Sequence, residues 1–165
     1  MYVYTKPFHA HNTVKDFLLK SIEENTSPSI NKNIYGDKIS KTDFFSDTQS
    51  SYVNDLSIHL QDHILKVLQI PKFVLKEVWF QQYCKSDTHS WHVHEHTHFT
   101  NVYFLELPQP EFKTEIREFG TTNLIEYNAT EGDIVTFPGF LEHRSPILES
   151  DQRKTIISFN VSLVS

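Results

Sequence analysis

The stretch Phe73-Val-Leu-Lys-Glu-Val-Trp-Phe-Gln-Gln-Tyr83 decides the fold, because here the apolar period changes from that of a helix to that of a strand. Upstream, Val14, Phe17, Leu18 and Ile22 recur at helical spacing behind Asn12 and Thr13, either of which can cap, so a helix is expected over about 13–25. Val53, Leu56, Leu60, Ile64 and Val67 form a second stripe that stops before Pro71, which predicts a helix over about 50–68. Between them residues 27–49 are polar, with a Gly36-Asp37 turn, and read as a long irregular loop.

Downstream the period stays at two. Strands are expected at about 73–83, 91–94, 99–107, 111–118, 124–127, 134–137 and 154–163. Pro108-Gln-Pro110, Glu131-Gly132-Asp133 and Pro138-Gly139 are the clearest breaks between them. Short strands at such regular spacing point to a sandwich or barrel. The 165 residues are expected to form one mainly β, α+β unit, with residues 1–71 as helical support and loop and residues 72–165 as the β core.

Composition excludes several classes. Apolar residues at 38% and charged residues at 22% are too apolar for a disordered chain. Fifteen basic against 21 acidic residues give a net charge of −6, which leaves no broad basic field for a polyanion, so nucleic acid is a disfavoured partner. The single cysteine, Cys84, can make neither an internal disulfide nor a thiolate metal site, which fits a reducing cytoplasm. The first eight residues lack the pattern of a signal peptide, and no stretch has the length of a membrane span.

The histidines stand out. Five of the ten fall in residues 89–98, and in Trp91-His-Val-His-Glu-His-Thr-His98 the four at 92, 94, 96 and 98 share a parity. On an extended strand they project from one face, and an i, i+2 pair can reach one metal ion. A third ligand has to come from another strand, and His143, after the turn Phe137-Pro-Gly-Phe140, is the one histidine left in the β half. Three imidazoles suit non-haem iron or catalytic zinc. His59 and His63, four apart on the second helix, could chelate too, but without the glutamate of a zinc-protease helix they read as surface or half-buried residues. Ten residues after His143, Arg153 with Thr155 two positions on could grip a carboxylate, although taken alone a solvated charge beside a turn is the simpler reading.

Taken in order, Trp79-Phe-Gln-Gln-Tyr83, His89-Ser-Trp-His-Val-His94, Thr100-Asn-Val-Tyr-Phe-Leu105, Glu131-Gly-Asp-Ile-Val-Thr-Phe-Pro138, His143 and Arg153-Lys-Thr-Ile-Ile-Ser-Phe-Asn160 resemble the 2-oxoglutarate and Fe(II)-dependent oxygenases. The likeness is greatest to the small prolyl-hydroxylase-like members found in marine phages and bacteria, and runs from about Trp79 to the end. It implies a distorted double-stranded β-helix, a jelly roll, with Fe(II) on His92, His94 and His143. It also implies that 2-oxoglutarate is the cosubstrate and O₂ the oxidant, with the distal carboxylate of 2-oxoglutarate held by Tyr83 and a basic residue late in the chain. The implied activity is hydroxylation of a small-molecule or peptide substrate.

The sequence departs from that pattern twice. Family members carry His-x-Asp or His-x-Glu where this chain has His92-Val-His94, so the set is read as three histidines, with Glu95 bending inward as the alternative. The usual spacing of the basic residue before Ser-Phe-Asn falls on Lys154, whereas Arg153 offers the better fork for a carboxylate and is aligned with Thr155; Arg153 is the expected clamp and Lys154 the alternative. His96 and His98 are expected to surround the metal or face substrate, and His89 to be structural or at the rim. A halide-transferring variant is unlike this chain, because His94 fills the place a halide needs. The rival readings are a metal-binding jelly roll without redox chemistry and a three-histidine dioxygenase of the cupin kind that needs no cosubstrate.

Overall fold

The computed structural model describes residues 2–26, 29 and 36–165. Nine strands and two α-helices follow in the order β1 (Tyr4–Pro7), α1 (His11–Glu24), β2 (Lys41–Thr42), α2 (Tyr52–Leu68), β3 (Phe73–Tyr83), β4 (His89–His92), β5 (Phe99–Glu106), β6 (Glu115–Arg117), β7 (Asp133–Pro138), β8 (Glu142–Ser145) and β9 (Lys154–Leu163), with a 3₁₀ turn at Pro110–Phe112. A six-stranded sheet has the order β1-β7-β5-β9-β3-β2, and a three-stranded sheet the order β4-β8-β6. All the pairings are antiparallel. The two sheets form the jelly roll.

The large sheet is covered on both faces, and period two sorts its side chains. Tyr103, Ile134, Ile157, Phe159 and Val161 face α1 and α2, whose Val14, Leu18, Ile22, Leu56, Leu60 and Ile64 complete that layer. Tyr83, Val102, Phe104, Val135, Phe137 and Ile156 point the other way, onto Ile116, Leu141 and Leu148 under the small sheet. Nine of the ten β9 residues are buried, as a strand enclosed on both faces must be. A buried aliphatic or aromatic side chain of this kind contributes roughly 1.5–3 kcal/mol.

Several sequence expectations shift. The helix of α1 begins at His11 after Ala10, with no side-chain cap, so neither Asn12 nor Thr13 caps it. Phe17 is left partly exposed while its stripe-mates are buried. The N-terminal third supplies two strands besides its helices, β1 on one edge of the large sheet and β2 on the other. The segment expected at 111–118 divides into the 3₁₀ turn and β6, and of 124–127 only a single bridge, Leu124 to Arg117, is present. β8 is an addition to the expected strands; its four residues are too few to show a period. In the stretch read as loop, residues 27, 28 and 30–35 lie outside the described residues, and the remainder contains the Lys38–Thr88 bridge and β2. No helix among the described residues is long and apolar enough to cross a membrane.

Candidate metal centre

The register of β4 on β8 places His92 directly opposite His143. His94 lies two residues past the end of β4, where the chain is tied down by backbone bonds from His94 N–H to the Gly139 carbonyl at 3.1 Å and from Gly139 N–H to the His98 carbonyl at 3.0 Å. A Cβ at Gly139 would stand 2.7 Å from the Thr97 carbonyl oxygen and 3.0 Å from that of His94, so glycine is required for the segment to come this close. The outcome is that one ring nitrogen from each of His92, His94 and His143 lies within 4.8 Å of the others, a set able to hold a metal ion.

Each ring is fixed by its far nitrogen. Nδ1–H donates to the Ser90 carbonyl in His92 (2.7 Å), to Asn160 Oδ1 in His94 (2.8 Å) and to the Leu141 carbonyl in His143 (3.2 Å). An oxygen at Nδ1 selects the tautomer that leaves the Nε2 lone pair free for a cation. Burial holds His92 down to about 3, with His89 adding to the effect, and pushes His94 and His143 below the ordinary histidine range. The rings are neutral at pH 7, so a metal need not displace a proton. These residues fit a divalent transition ion by donor type and convergence.

The other candidates are sorted by the fold. Glu95 is exposed and turns to His96, and the group of side chains able to hold an ion is the three histidines without it. His96 has φ 65° and is 92% exposed, and His98 is exposed with Nδ1 accepting from Leu163 N–H; neither belongs to the converging set, because the chain turns at Glu95 and His96 and the alternation that serves His92 and His94 ends there. His89 is closer than a rim residue would be, its ring stacked on His92 at 4.0 Å between centroids. Trp79, Gln81, Thr114 and Ser158, none of them given a site role from the sequence, line the cleft together with Tyr83 and Ser145.

The structure separates the two basic candidates. β9 alternates, and Ile156 and Ser158 line the cleft, so Lys154 shares their face while Arg153 and Thr155 belong to the opposite one. Arg153 is half exposed and paired with Glu106 at 2.7 Å, and Thr155 Oγ1 donates to the same carboxylate. The fork of the guanidinium favours Arg153 in the sequence; strand parity puts Lys154 on the side of the cleft. Lys154 is buried, with Nζ donating to the Phe112 carbonyl at 2.6 Å and to Ser145 Oγ at 2.8 Å, and lies 5.2 Å from the centre of the Tyr83 ring. Burial lowers its pKa to about 7, against a raising effect of Glu115. Tyr83 is fully buried, which raises its pKa and keeps the hydroxyl protonated; it donates to Gln81 Oε1 at 3.0 Å.

The inner cleft holds about 20 Å³, roughly one water. It adjoins a chamber of about 260 Å³ that shares Trp79, Gln81, His89, His92 and His94 with it and is otherwise lined by Asp37, Ile39, Phe44, Phe45 and Val93. Four of those five come from residues 36–45, at the end of the stretch read as loop.

No protein-family model matches the sequence, and no curated protein matches it. Solved structures do. The viral collagen prolyl hydroxylase of Paramecium bursaria Chlorella virus-1, in its 2-oxoglutarate complex, superposes with a TM-score of 0.65 at 12% identity, covering 100% of this chain and 97% of its own. An oxidoreductase of the 2OG-Fe(II) oxygenase family from Burkholderia pseudomallei gives 0.73 at 8%, covering 97% and 85%. HygX from Streptomyces hygroscopicus, with nickel, 2-oxoglutarate and hygromycin B bound, gives 0.66 at 10%, covering 98% and 83%. The chain has the fold of the 2-oxoglutarate and Fe(II)-dependent oxygenases.

Proposed function

We propose that this protein is an Fe(II)- and 2-oxoglutarate-dependent dioxygenase that hydroxylates a small-molecule or peptide substrate. The observation that carries the reading is the convergence of His92, His94 and His143 with every Nδ1 held by an oxygen, beside a buried lysine, on a fold shared with such oxygenases. Iron and 2-oxoglutarate together supply the chemistry: cosubstrate and O₂ become succinate and CO₂, and one oxygen atom enters a substrate C–H bond.

The protein's own part is binding, orientation and exclusion of water. His92, His94 and His143 would hold the ion on one side and leave its other positions to the cleft. Lys154 and the Tyr83 hydroxyl would hold the distal carboxylate, an ammonium and a neutral donor meeting a carboxylate in a dry site. For that Lys154 must be protonated, so binding the diacid draws a proton to a lysine poised near pH 7. Gln81 has to swing aside, since its amide accepts from the Tyr83 hydroxyl and the inner cleft has room for only about one water. The substrate would occupy the chamber walled by Phe44, Phe45 and Trp79, with residues 36–45 as its lid.

Succinate formation from 2-oxoglutarate with added Fe(II), absent in His143→Ala, is the expected result. Oxygen uptake that proceeds equally without 2-oxoglutarate would instead identify a cosubstrate-free dioxygenase, and tight zinc binding without any effect of 2-oxoglutarate on thermal unfolding a non-catalytic metal-binding module.

A further inference from the structure

Three neutral imidazoles leave a bound dication with its full double charge in a cleft with room for about one water, an arrangement that negative charge nearby would stabilise. The fold provides a carboxylate one amide away. His94 Nδ1–H donates to Asn160 Oδ1 at 2.8 Å, and Asn160 Nδ2–H donates to Glu77 Oε2 at 3.0 Å. Imidazole, amide and carboxylate thus form a chain in which both hydrogen bonds use a single conjugated group.

Glu77 reaches this place through a defect in the sheet. β3 and β9 pair without interruption from Val78 to Tyr83, but the register shifts between Lys76 and Val78, which leaves Glu77 as the extra residue of a bulge opposite Asn160. Regular pairing would give that position one fixed orientation; the bulge lets the carboxylate aim at the Asn160 side chain. The chain also has only one consistent direction. A carboxylate can only accept, so the amide must turn its NH₂ to Glu77 and its oxygen to His94, and the Thr100 hydroxyl then donates to the same Oδ1 at 3.4 Å. His94 then has to place its proton on Nδ1.

Building on the reading of a metal centre given above, we propose that Glu77 is the anionic partner of that centre, acting through Asn160 to fix the tautomer of His94, strengthen it as a donor and offset the charge of the ion. Glu77 is a positioning residue and does not touch the metal. His92 is held differently: its Nδ1–H meets the Ser90 carbonyl, while Asp37 accepts from the Ser90 N–H, which belongs to the preceding peptide, so no one conjugated group joins Asp37 to His92.

The test is a titration of the metal-free full-length chain with Co(II), followed by calorimetry and by the visible cobalt bands. Glu77→Gln keeps the shape and removes the charge. It is expected to weaken Co(II) binding about tenfold, the lower end of the effect of groups that orient ligands, and to shift the cobalt bands, while thermal unfolding of the metal-free chain stays as in the parent. Glu77→Lys is expected to weaken binding further. In an Asn160→Ala background Glu77→Gln should add nothing, because the connecting amide is gone. Binding of Co(II) by Glu77→Gln within twofold of the parent with unshifted bands, or the same tenfold loss persisting in Asn160→Ala, overturns the proposal. A parent chain that binds no Co(II) at all overturns the metal-centre reading itself, and the proposal with it.

Discussion

Two regions of this molecule are rich in histidine, and among the described residues only one of them brings three ring nitrogens together. At the mouth of the jelly roll His92, His94 and His143 each commit Nδ1 to an oxygen and present the other nitrogen to a shared point. Behind the large sheet, His9, His59 and His63 gather between the β1–α1 turn and α2. There His9 leans on Asp62 at 3.3 Å, the rings of His9 and His59 are 6.0 Å apart, and His63 is buried against Phe8 with Nε2 lacking a partner. Among the described residues only the first cluster brings three ligating atoms together. Histidine density is thus a poor guide; what separates the two is whether the far nitrogen of each ring is anchored.

The sharpest way to break this contrast is to remove one ring from each cluster. His143→Ala should lower affinity for Fe(II) or Co(II) roughly a thousandfold, whereas His59→Ala should leave it within twofold, both read by calorimetry. Equal losses would mean that the second cluster binds as well.

The next largest effect separates the two faces of β9. Lys154→Met should weaken 2-oxoglutarate binding to the metal-loaded chain by roughly thirtyfold, about 2 kcal/mol, because it removes a charge-assisted hydrogen bond from a buried site. Arg153→Ala should change that binding less than twofold, since its guanidinium is committed to Glu106 in solvent. The reverse result would restore Arg153 as the clamp.

The pH dependence follows with its sign. On the proposed function Lys154 must be charged to bind the diacid, and the free chain holds it at about 7. Binding raises that value, so affinity is full below about pH 7 and falls as pH climbs from there toward the pKa in the complex, by about tenfold per unit. Calorimetry at pH 6 to 9 reads the slope, which Lys154→Met should flatten.

Gly139→Ala tests the brace that delivers His94. The added methyl must push Thr97 or the His94 carbonyl aside, at roughly 1–3 kcal/mol in thermal or urea unfolding, and metal affinity should fall with it. Unchanged affinity would show that His94 does not depend on that close approach.

The second cluster bears on stability and not on metal binding. Burial lowers His63 to about 4, so the folded chain binds fewer protons there than the unfolded chain between about pH 4 and 6.5, and stability declines as pH drops through that window. His63→Leu should remove a slope of at most about 1.4 kcal/mol per pH unit from the urea-unfolding free energy and leave metal binding alone. A mutant with the parent's acid slope would refute the buried neutral state.

Much of this is legible in local pattern. The two amphipathic stripes give α1 and α2 to within two residues at each end, and β3 and β9 match their expected bounds, because long runs repeat their period many times. The short β1, β2 and β8 escape prediction for the opposite reason. Of the candidate site, the i, i+2 pair and His143 can be read from spacing, while Asn160 is in view as the end of Ser-Phe-Asn and shares the parity of Lys154. Parity, weighed above the shape of the guanidinium, is the signal that finds both.

The sequence by itself therefore determined which residues lie on a common side of each strand, since alternation is a property of one extended chain. Only the tertiary structure decided which of β9's two sides looks into the cleft, that the alternation ends in a turn just after His94, and that a bulge brings Glu77 to Asn160. Those outcomes depend on pairing with distant strands and on helices covering one face of the sheet, and no single segment contains that information.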